Sequence, residues 1–496
     1  MSKRIRPAIV MVCVFPLLCG ALFTECGVGG LKAADFQQVN VNGFDEADNA
    51  VDMNHYAYAM KYFQADGADQ GYVYVGTGNN VAGLVGYYIE TLLNGGDILD
   101  APVRPPEIRR YRPDLGPLEW ETVLDYRDVE TDPDFETIGF RFMTTLWAAD
   151  GRKTVGPTCS NYLYAATQGN VSALWRSATG NSGDWYNVFT LDTFGASIRW
   201  IEQHDGLIYL AVAYDSFGEE PPPGEIWVSD DGLSFVPLMQ DGFGNPDNRG
   251  IQALISYNGW LYAGTKNDVT GFEIWKLAGP DKPIGAIKVV DGGGPSAHNE
   301  NAGMPFVFNG KLYFGTQLYI GGVNPTSGNA FQGCDIIRID ENDNWETIVG
   351  PDSLSGYESG FNHFTNAYLW WMEEHDGWLY AGTYDQGSML AYLLANLEEV
   401  MAMLEKTGNK DAMTTVLALL DRWLDEDDYY RLMHAGADLF KTQNGVDWYP
   451  VTLNGLDNPH NYGWRTMEAA PDGYLYLGSA NPTEGLQIWR AKTPEE

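Results

Sequence analysis

A short apolar strand of the form G-x-L-Y-x-G-T recurs along this chain, at Gly71–Thr77, Asn161–Thr167, Gly206–Ala213, Gly259–Thr265, Gly310–Thr316, Gly377–Thr383 and Gly473–Ser479. A unit that recurs in this way cannot bury its apolar face alone; stacked neighbours bury it together. Where the copies are regular they lie 46–52 residues apart, the length of a four-stranded propeller blade. At 496 residues the chain exceeds what one ordinary hydrophobic core organises. Stacked units escape that limit because each packs only on its neighbours.

Each unit carries three further strand-like pieces. A first strand ends in a large apolar residue: Met60, Met143, Ile201, Leu254, Val307, Met372 or Met467. The G-x-L-Y-x-G-T strand follows, often after an Asp-Gly or Asn-Gly pair, a hairpin signal. A third piece resembles E-I-W (Glu225-Ile226-Trp227, Glu273-Ile274-Trp275, Gln487-Ile488-Trp489) and a fourth resembles W-x-x-V (Trp185–Val188, Trp345–Ile348, Trp448–Val451). The last unit stops short of its fourth piece, but Phe36–Phe44 reads like Trp448–Leu456. The sequence therefore predicts an all-β fold over residues 35–496, a seven-bladed β-propeller whose N-terminal strand closes the last blade and so removes an open sheet edge. The longer steps require insertions. Leu390–Leu404 and Met413–Leu424 have helical spacing, predicting a helical insertion over 388–433 in the sixth blade, and Ala82–Leu99 predicts a shorter helix in the first. Such insertions are either decoration or a lid or protein-docking surface.

Net charge is −37, with 67 acidic residues against 30 Lys and Arg. A surface this acidic repels phosphate backbones and excludes nucleic acid as a partner. Residues 1–34 read as an export signal or a membrane or lipid anchor: Lys3, Arg4 and Arg6 precede an uncharged apolar run, Ala8 to Phe23. The expected location is extracytoplasmic: periplasmic, secreted or anchored at the cell surface. Cys13, Cys19 and Cys26 lie in that segment, leaving Cys159 and Cys334 in the body as isolated thiols or a distant pair.

Candidate site residues come from aligning the first strands on their apolar ends. Six positions earlier, Asn recurs at Asn54, Asn248, Asn301, Asn366 and Asn461, a repetition that argues for turn structure before ligand binding. Two positions earlier the units differ: Tyr58, Arg141, Arg199, Gln252, Pro305, Trp370 and Arg465. Variation within a repeat points to function, and three arginines in one layer suit a carboxylate or other anion. Tyr58, Arg141, Arg199, Gln252, Trp370 and Arg465 are the candidate ligand-binding set. His55, His298, His363 and His460 lie just before first strands, and neutral imidazoles at one channel end would suit a divalent transition metal. His204 and His375 precede Asp-Gly turns and read as structural. No H-E-x-x-H, G-x-S-x-G, P-loop or Rossmann pattern stands in usable context.

The run G-x-L-Y-x-G-T, E-I-W, D-G-x-x-W, spanning Phe36 to Lys492, resembles exported bacterial propellers of the Asp-box (BNR, sialidase-like) repeat type. Ser229–Phe235 and Thr442–Trp448 look like degenerate Asp boxes. The resemblance implies fold and export. Sialidases hold their substrate carboxylate with three arginines, which invites comparison with Arg141, Arg199 and Arg465. The Y/F-R-I-P motif and a Tyr–Glu nucleophile pair are absent, so sialidase activity is not implied. The expected function is binding of a glycan or small organic anion at the channel mouth. The alternatives are a propeller enzyme, either a glycan hydrolase or lyase or metal-dependent, and a protein-interaction scaffold docking through 388–433.

Overall fold

The computed structural model describes residues 29–44, 53–79, 104–129 apart from 117, 137–149, 159–214, 221–277, 285–318, 332–387 and 435–493. The helical insertions expected at Ala82–Leu99 and over 388–433, and residues 1–28 of the expected export signal or anchor, lie outside the described residues. No described helix is long and apolar enough to cross a membrane.

The described residues from Leu31 onward belong to one compact unit, so the body begins upstream of residue 35. Leu31 is buried. Its N–H donates to the Tyr380 hydroxyl at 2.8 Å, and its carbonyl accepts from Lys441 Nζ at 2.8 Å. The strands are β1 (Gln37–Gln38), β2 (Tyr56–Phe63), β3 (Tyr72–Gly78), β4 (Glu107–Tyr111), β5 (Glu121–Asp125), β6 (Thr137–Ala149), β7 (Cys159–Gly169), β8 (Ser172–Ser177), β9 (Tyr186–Leu191), β10 (Ala196–His204), β11 (Leu207–Tyr214), β12 (Glu225–Ser229), β13 (Val236–Met239) and β14 (Gly250–Tyr257). They continue as β15 (Trp260–Lys266), β16 (Ile274–Leu277), β17 (Ile287–Val290), β18 (Asn301–Phe308), β19 (Lys311–Gln317), β20 (Ile336–Ile339), β21 (Trp345–Val349), β22 (Asn366–His375), β23 (Trp378–Asp385), β24 (Leu439–Thr442), β25 (Trp448–Thr452), β26 (Gly463–Ala469), β27 (Leu475–Ala480) and β28 (Ile488–Ala491).

From β2 onward the strands pair as successive antiparallel meanders, β2–β5, β6–β9, β10–β13, β14–β17, β18–β21 and β22–β25, followed by β26–β28. Their first strands, β2, β6, β10, β14, β18, β22 and β26, contact one another in that order, and β26 contacts β2 again. Radial meanders around a ring of first strands make a β-propeller with a central channel. The strand β1 pairs with β28, Gln37 opposite Arg490 and Gln38 opposite Trp489. This is the register in which Tyr449 and Pro450 face Lys441 and Phe440, so Phe36 and Val39 stand where Trp448 and Val451 stand.

Local chemistry explains the repeat. The hairpins between first and second strands turn on Asp205-Gly206, Asn258-Gly259, Asn309-Gly310 and Asp376-Gly377, both residues of each pair at positive φ between 48° and 79°. A primed two-residue turn demands that backbone, and Asx-Gly accepts it. The repeated tyrosine reaches the next meander. Tyr164 Oη donates to the Gly232 carbonyl at 3.1 Å and Tyr262 Oη to Asp343 at 2.6 Å. In the E-I-W strands the acid holds its own tryptophan: Trp227 Nε1 donates to Glu225 at 2.6 Å and Trp275 Nε1 to Glu273 at 2.9 Å.

Candidate functional site

Each first strand carries a β-bulge at one place. The ladder to its second strand slips between Ala57 and Ala59, Phe140 and Phe142, Ile198 and Trp200, Ile251 and Ala253, Ala302 and Met304, Leu369 and Trp371, and Trp464 and Thr466. The extra residues are Tyr58, Arg141, Arg199, Gln252, Gly303, Trp370 and Arg465. A bulge leaves its extra residue out of the ladder and re-aims the side chain. In the fifth unit Gly303 takes the place expected for Pro305, which pairs with Phe314 inside the ladder. Val307 lies two residues beyond the true counterpart of Met60, so alignment on it overshoots. The same correction moves the repeated asparagine from Asn301 to Asn299.

Six of these bulge residues, Arg141, Arg199, Gln252, Gly303, Trp370 and Arg465, line one pocket with Gln317. Its remaining lining is Phe142, Trp200, Met304 and Trp371, each one position after a bulge residue. Trp200 stacks near Trp371 at 6.2 Å and against Phe142 at 4.6 Å, giving the pocket an apolar floor. The space is about 380 Å³ counted out to the open mouth.

None of the described lining residues is acidic. Arg141 donates to the Tyr58 hydroxyl at 2.6 Å and to Gln168 Oε1 at 2.9 Å; Tyr58 itself donates to Gln168 at 2.5 Å. So Tyr58 lies beside the pocket and orients Arg141. The Arg465 guanidinium, 7% exposed, lies over the Tyr58 ring at 4.8 Å and the Trp370 ring at 5.5 Å. Among the described residues no carboxylate pairs with Arg141 or Arg465. Burial, then the Arg141 charge, with Arg199 adding to it, pushes Arg465 well below the usual guanidinium range.

The repeated asparagines hold the loops that lead into the first strands. Nδ2 of Asn54, Asn248, Asn299, Asn366 and Asn461 donates to the carbonyls of Gly43, Gly242, Gly293, Gly360 and Gly455 at 2.9–3.1 Å. In four of them it also reaches the third strand, at Glu273, Asp335, Asp438 or Gln487. The histidines do not form one group. His363 bonds Thr365 at 2.8 Å and lies 3.3 Å from Asp438, while His460 is exposed and 3.8 Å from Glu484. His55 and His298 lead into other first strands, and among the described residues no cluster of three or more His, Cys, Asp and Glu is placed to hold a metal. His204 bonds Ser256 at 2.7 Å, a packing role. Cys334 is a buried free thiol; the Cys159 side chain lies outside the described residues.

One layer escaped the sequence reading. Three residues after the bulge position stand Lys61, Glu202, Glu373 and Glu468. Glu468 accepts the Tyr62 N–H at 2.9 Å and pairs with Lys61 at 2.9 Å, and Glu202 accepts the Ser256 N–H at 3.1 Å. Each bond crosses to the following meander. Burial pushes the Glu202 carboxyl up to about 7; burial and then the Glu468 charge push Glu373 upward. The spacing Arg199-x-x-Glu202 and Arg465-x-x-Glu468 was the available signal.

No family model matches this chain, and no curated protein matches it. Among solved structures, YCF48 bound to a D1 peptide aligns over 94% of this chain and 100% of that one, at 11% identity and a TM-score of 0.46. A family-43 β-1,3-galactosidase with galactodeoxynojirimycin aligns over 45% and 81%, at 12% identity and 0.28. A thermostable family-43 glycoside hydrolase aligns over 61% and 95%, at 12% identity and 0.29. Likenesses this distant say nothing of what this chain binds.

Proposed function

We propose that this chain is an exported, seven-bladed propeller, closed by its N-terminal strand, that binds a small organic anion at the channel mouth. The observation that carries this is the buried pocket with Arg141, Arg199 and Arg465 in its lining and no described acid, in a chain of net charge −37. A buried guanidinium such as that of Arg465, with the Arg141 charge beside it, is costly unless an anion completes it. A guanidinium fork matches a carboxylate with two parallel hydrogen bonds. Kinship with the Asp-box repeat type belongs to the same proposal. In support, Ser229 Oγ accepts the Gly232 N–H and Asp231 the Leu233 and Ser234 N–H groups, each at 2.8 Å. Thr442 and Asn444 repeat the pattern with Gly445, Val446 and Asp447 at 2.8–2.9 Å.

Calorimetric titration of the purified body, Leu31 to the C-terminus, with a panel of small carboxylates and neutral sugars tests the reading. Saturable binding of a carboxylate, lost in Arg465→Gln and weakened in Arg199→Ala, is expected. A panel with no binding carboxylate would sink it.

A further inference from the structure

We infer that the anion is a planar aromatic carboxylate of the benzoate class, its carboxylate on Arg465 and Arg141 and its ring against Trp370 and Tyr384. This rests on the anion-site reading above and narrows it.

The mouth is one-sided. Two positions before each bulge residue the first strands carry Tyr56, Gly139, Ser197, Gly250, Asn301, Tyr368 and Gly463. Large rings stand only on β2 and β22; the others are small. A side chain at Gly463 would run into the Trp370 ring, and one at Gly139 into Tyr58. Glycine there lets each ring lie across the next first strand. Around Trp370 the ring centroids of Tyr384, Tyr56, Tyr368 and Tyr462 stand at 4.8, 5.9, 6.0 and 6.3 Å. Trp370 lines the pocket, and Tyr368 and Tyr384 beside it are half-buried. The tilted and edge contacts of this wall are the geometries that aromatic pairs prefer, and one more ring extends them.

The head of such a ligand meets the arginines. The Arg465 guanidinium carbon lies over the Tyr58 and Trp370 rings, and with no described carboxylate on it a ligand carboxylate can take its N–H groups. The pocket, about 380 Å³ counted out to its open mouth, leaves room for a six-membered ring beside the carboxylate. A sugar acid suits the wall less well. Its hydroxyls would lose water against rings, and each one left unpaired costs about 1–3 kcal/mol. A short aliphatic acid would fill the head of the site and leave the wall unused.

Titration calorimetry on the wild-type body with benzoate, benzamide, acetate and glucuronate tests this. Benzoate is expected to bind at least about tenfold more tightly than acetate or glucuronate, through ring contact and burial, and the uncharged benzamide not detectably. Trp370→Leu should cost benzoate at least about tenfold more affinity than it costs acetate; Arg465→Gln should lose both. Should Trp370→Leu fail to fold, Tyr384→Leu supplies the same comparison. Equal binding of benzoate and acetate, an unaffected Trp370→Leu, or tightest binding of glucuronate would each overturn the aromatic class while leaving the anion site standing. If none of the three anions binds, the anion site falls with it.

Discussion

Arg465 is a charge held where a charge is expensive. It is buried, flanked by two more arginines, and among the described residues lies against the Tyr58 and Trp370 rings with no carboxylate partner. A guanidinium keeps its proton under this pressure, so the cost falls on the fold. Arg465→Met, similar in volume and uncharged, is therefore expected to raise stability by on the order of 1 kcal/mol while abolishing anion binding; thermal unfolding of the ligand-free protein reads the first and titration the second. A lowered melting temperature would show that the ring contacts outweigh the repulsion. The acid layer gives a pH signature. The Glu202 carboxyl is pushed up to about 7 when folded, against about 4.3 unfolded. Between those values the folded chain holds a proton that the unfolded chain has released, so stability falls as pH rises from about 4 to about 7 and stays low above. Glu202→Gln should shrink the loss of melting temperature between pH 5 and pH 8; Asp335, raised to about 6, contributes a residual loss of the same sign. The bulge layer was legible because counting from apolar anchors works wherever the anchors are equivalent. It failed in the fifth unit because a glycine at the bulge leaves no side chain to count, and Val307 offers a false anchor.

At the scale of a loop, the same backbone solution recurs. Gly43-Phe44, Gly242-Phe243, Gly360-Phe361 and Gly455-Leu456 place two successive residues at positive φ, 57° to 67°. A bulky side chain in that region is strained. The asparagine bond to each glycine carbonyl offsets the strain, and the bond to the third strand ties the loop to its meander. Asn248→Ala removes its bonds to Gly242 and Glu273 and the one it accepts from Asn267 Nδ2, and leaves that buried amide donor unmet. A loss of about 2–4 kcal/mol is expected in denaturant unfolding, with anion binding retained. The repetition of these asparagines told of structure before any coordinates, since a ligand contact has no reason to recur around a ring. Their third-strand partners were not legible, because Glu273, Asp335, Asp438 and Gln487 share hydrogen-bonding capacity but not identity.

The whole ring depends on a joint made between its two chain ends. Phe36, Val39 and Leu31 are buried, the Val39 N–H donates to the Ile488 carbonyl at 2.8 Å, and Trp120 Nε1 donates to the Val39 carbonyl at 2.7 Å. A chain starting at Leu31 should melt like the longer form. One starting at residue 45 should lose on the order of 5 kcal/mol or aggregate, since three buried apolar side chains and an outer strand go with the missing segment; unfolding and light scattering compare the two. Unchanged stability on removal of Phe36–Phe44 would refute closure at this joint. The joint was readable as a likeness between Phe36–Phe44 and Trp448–Leu456; its true upstream limit was not, because Leu31 sits among leader-like residues and owes its place to Tyr380 and Lys441, hundreds of positions away. Finally, the side chains that face the mouth are surplus to the ladders that hold the ring together. Ligand choice is thereby written outside the ladders, so this architecture can trade one ligand for another by exchanging bulge side chains, at a modest change in stability, while the strand scaffold beneath stays as it is.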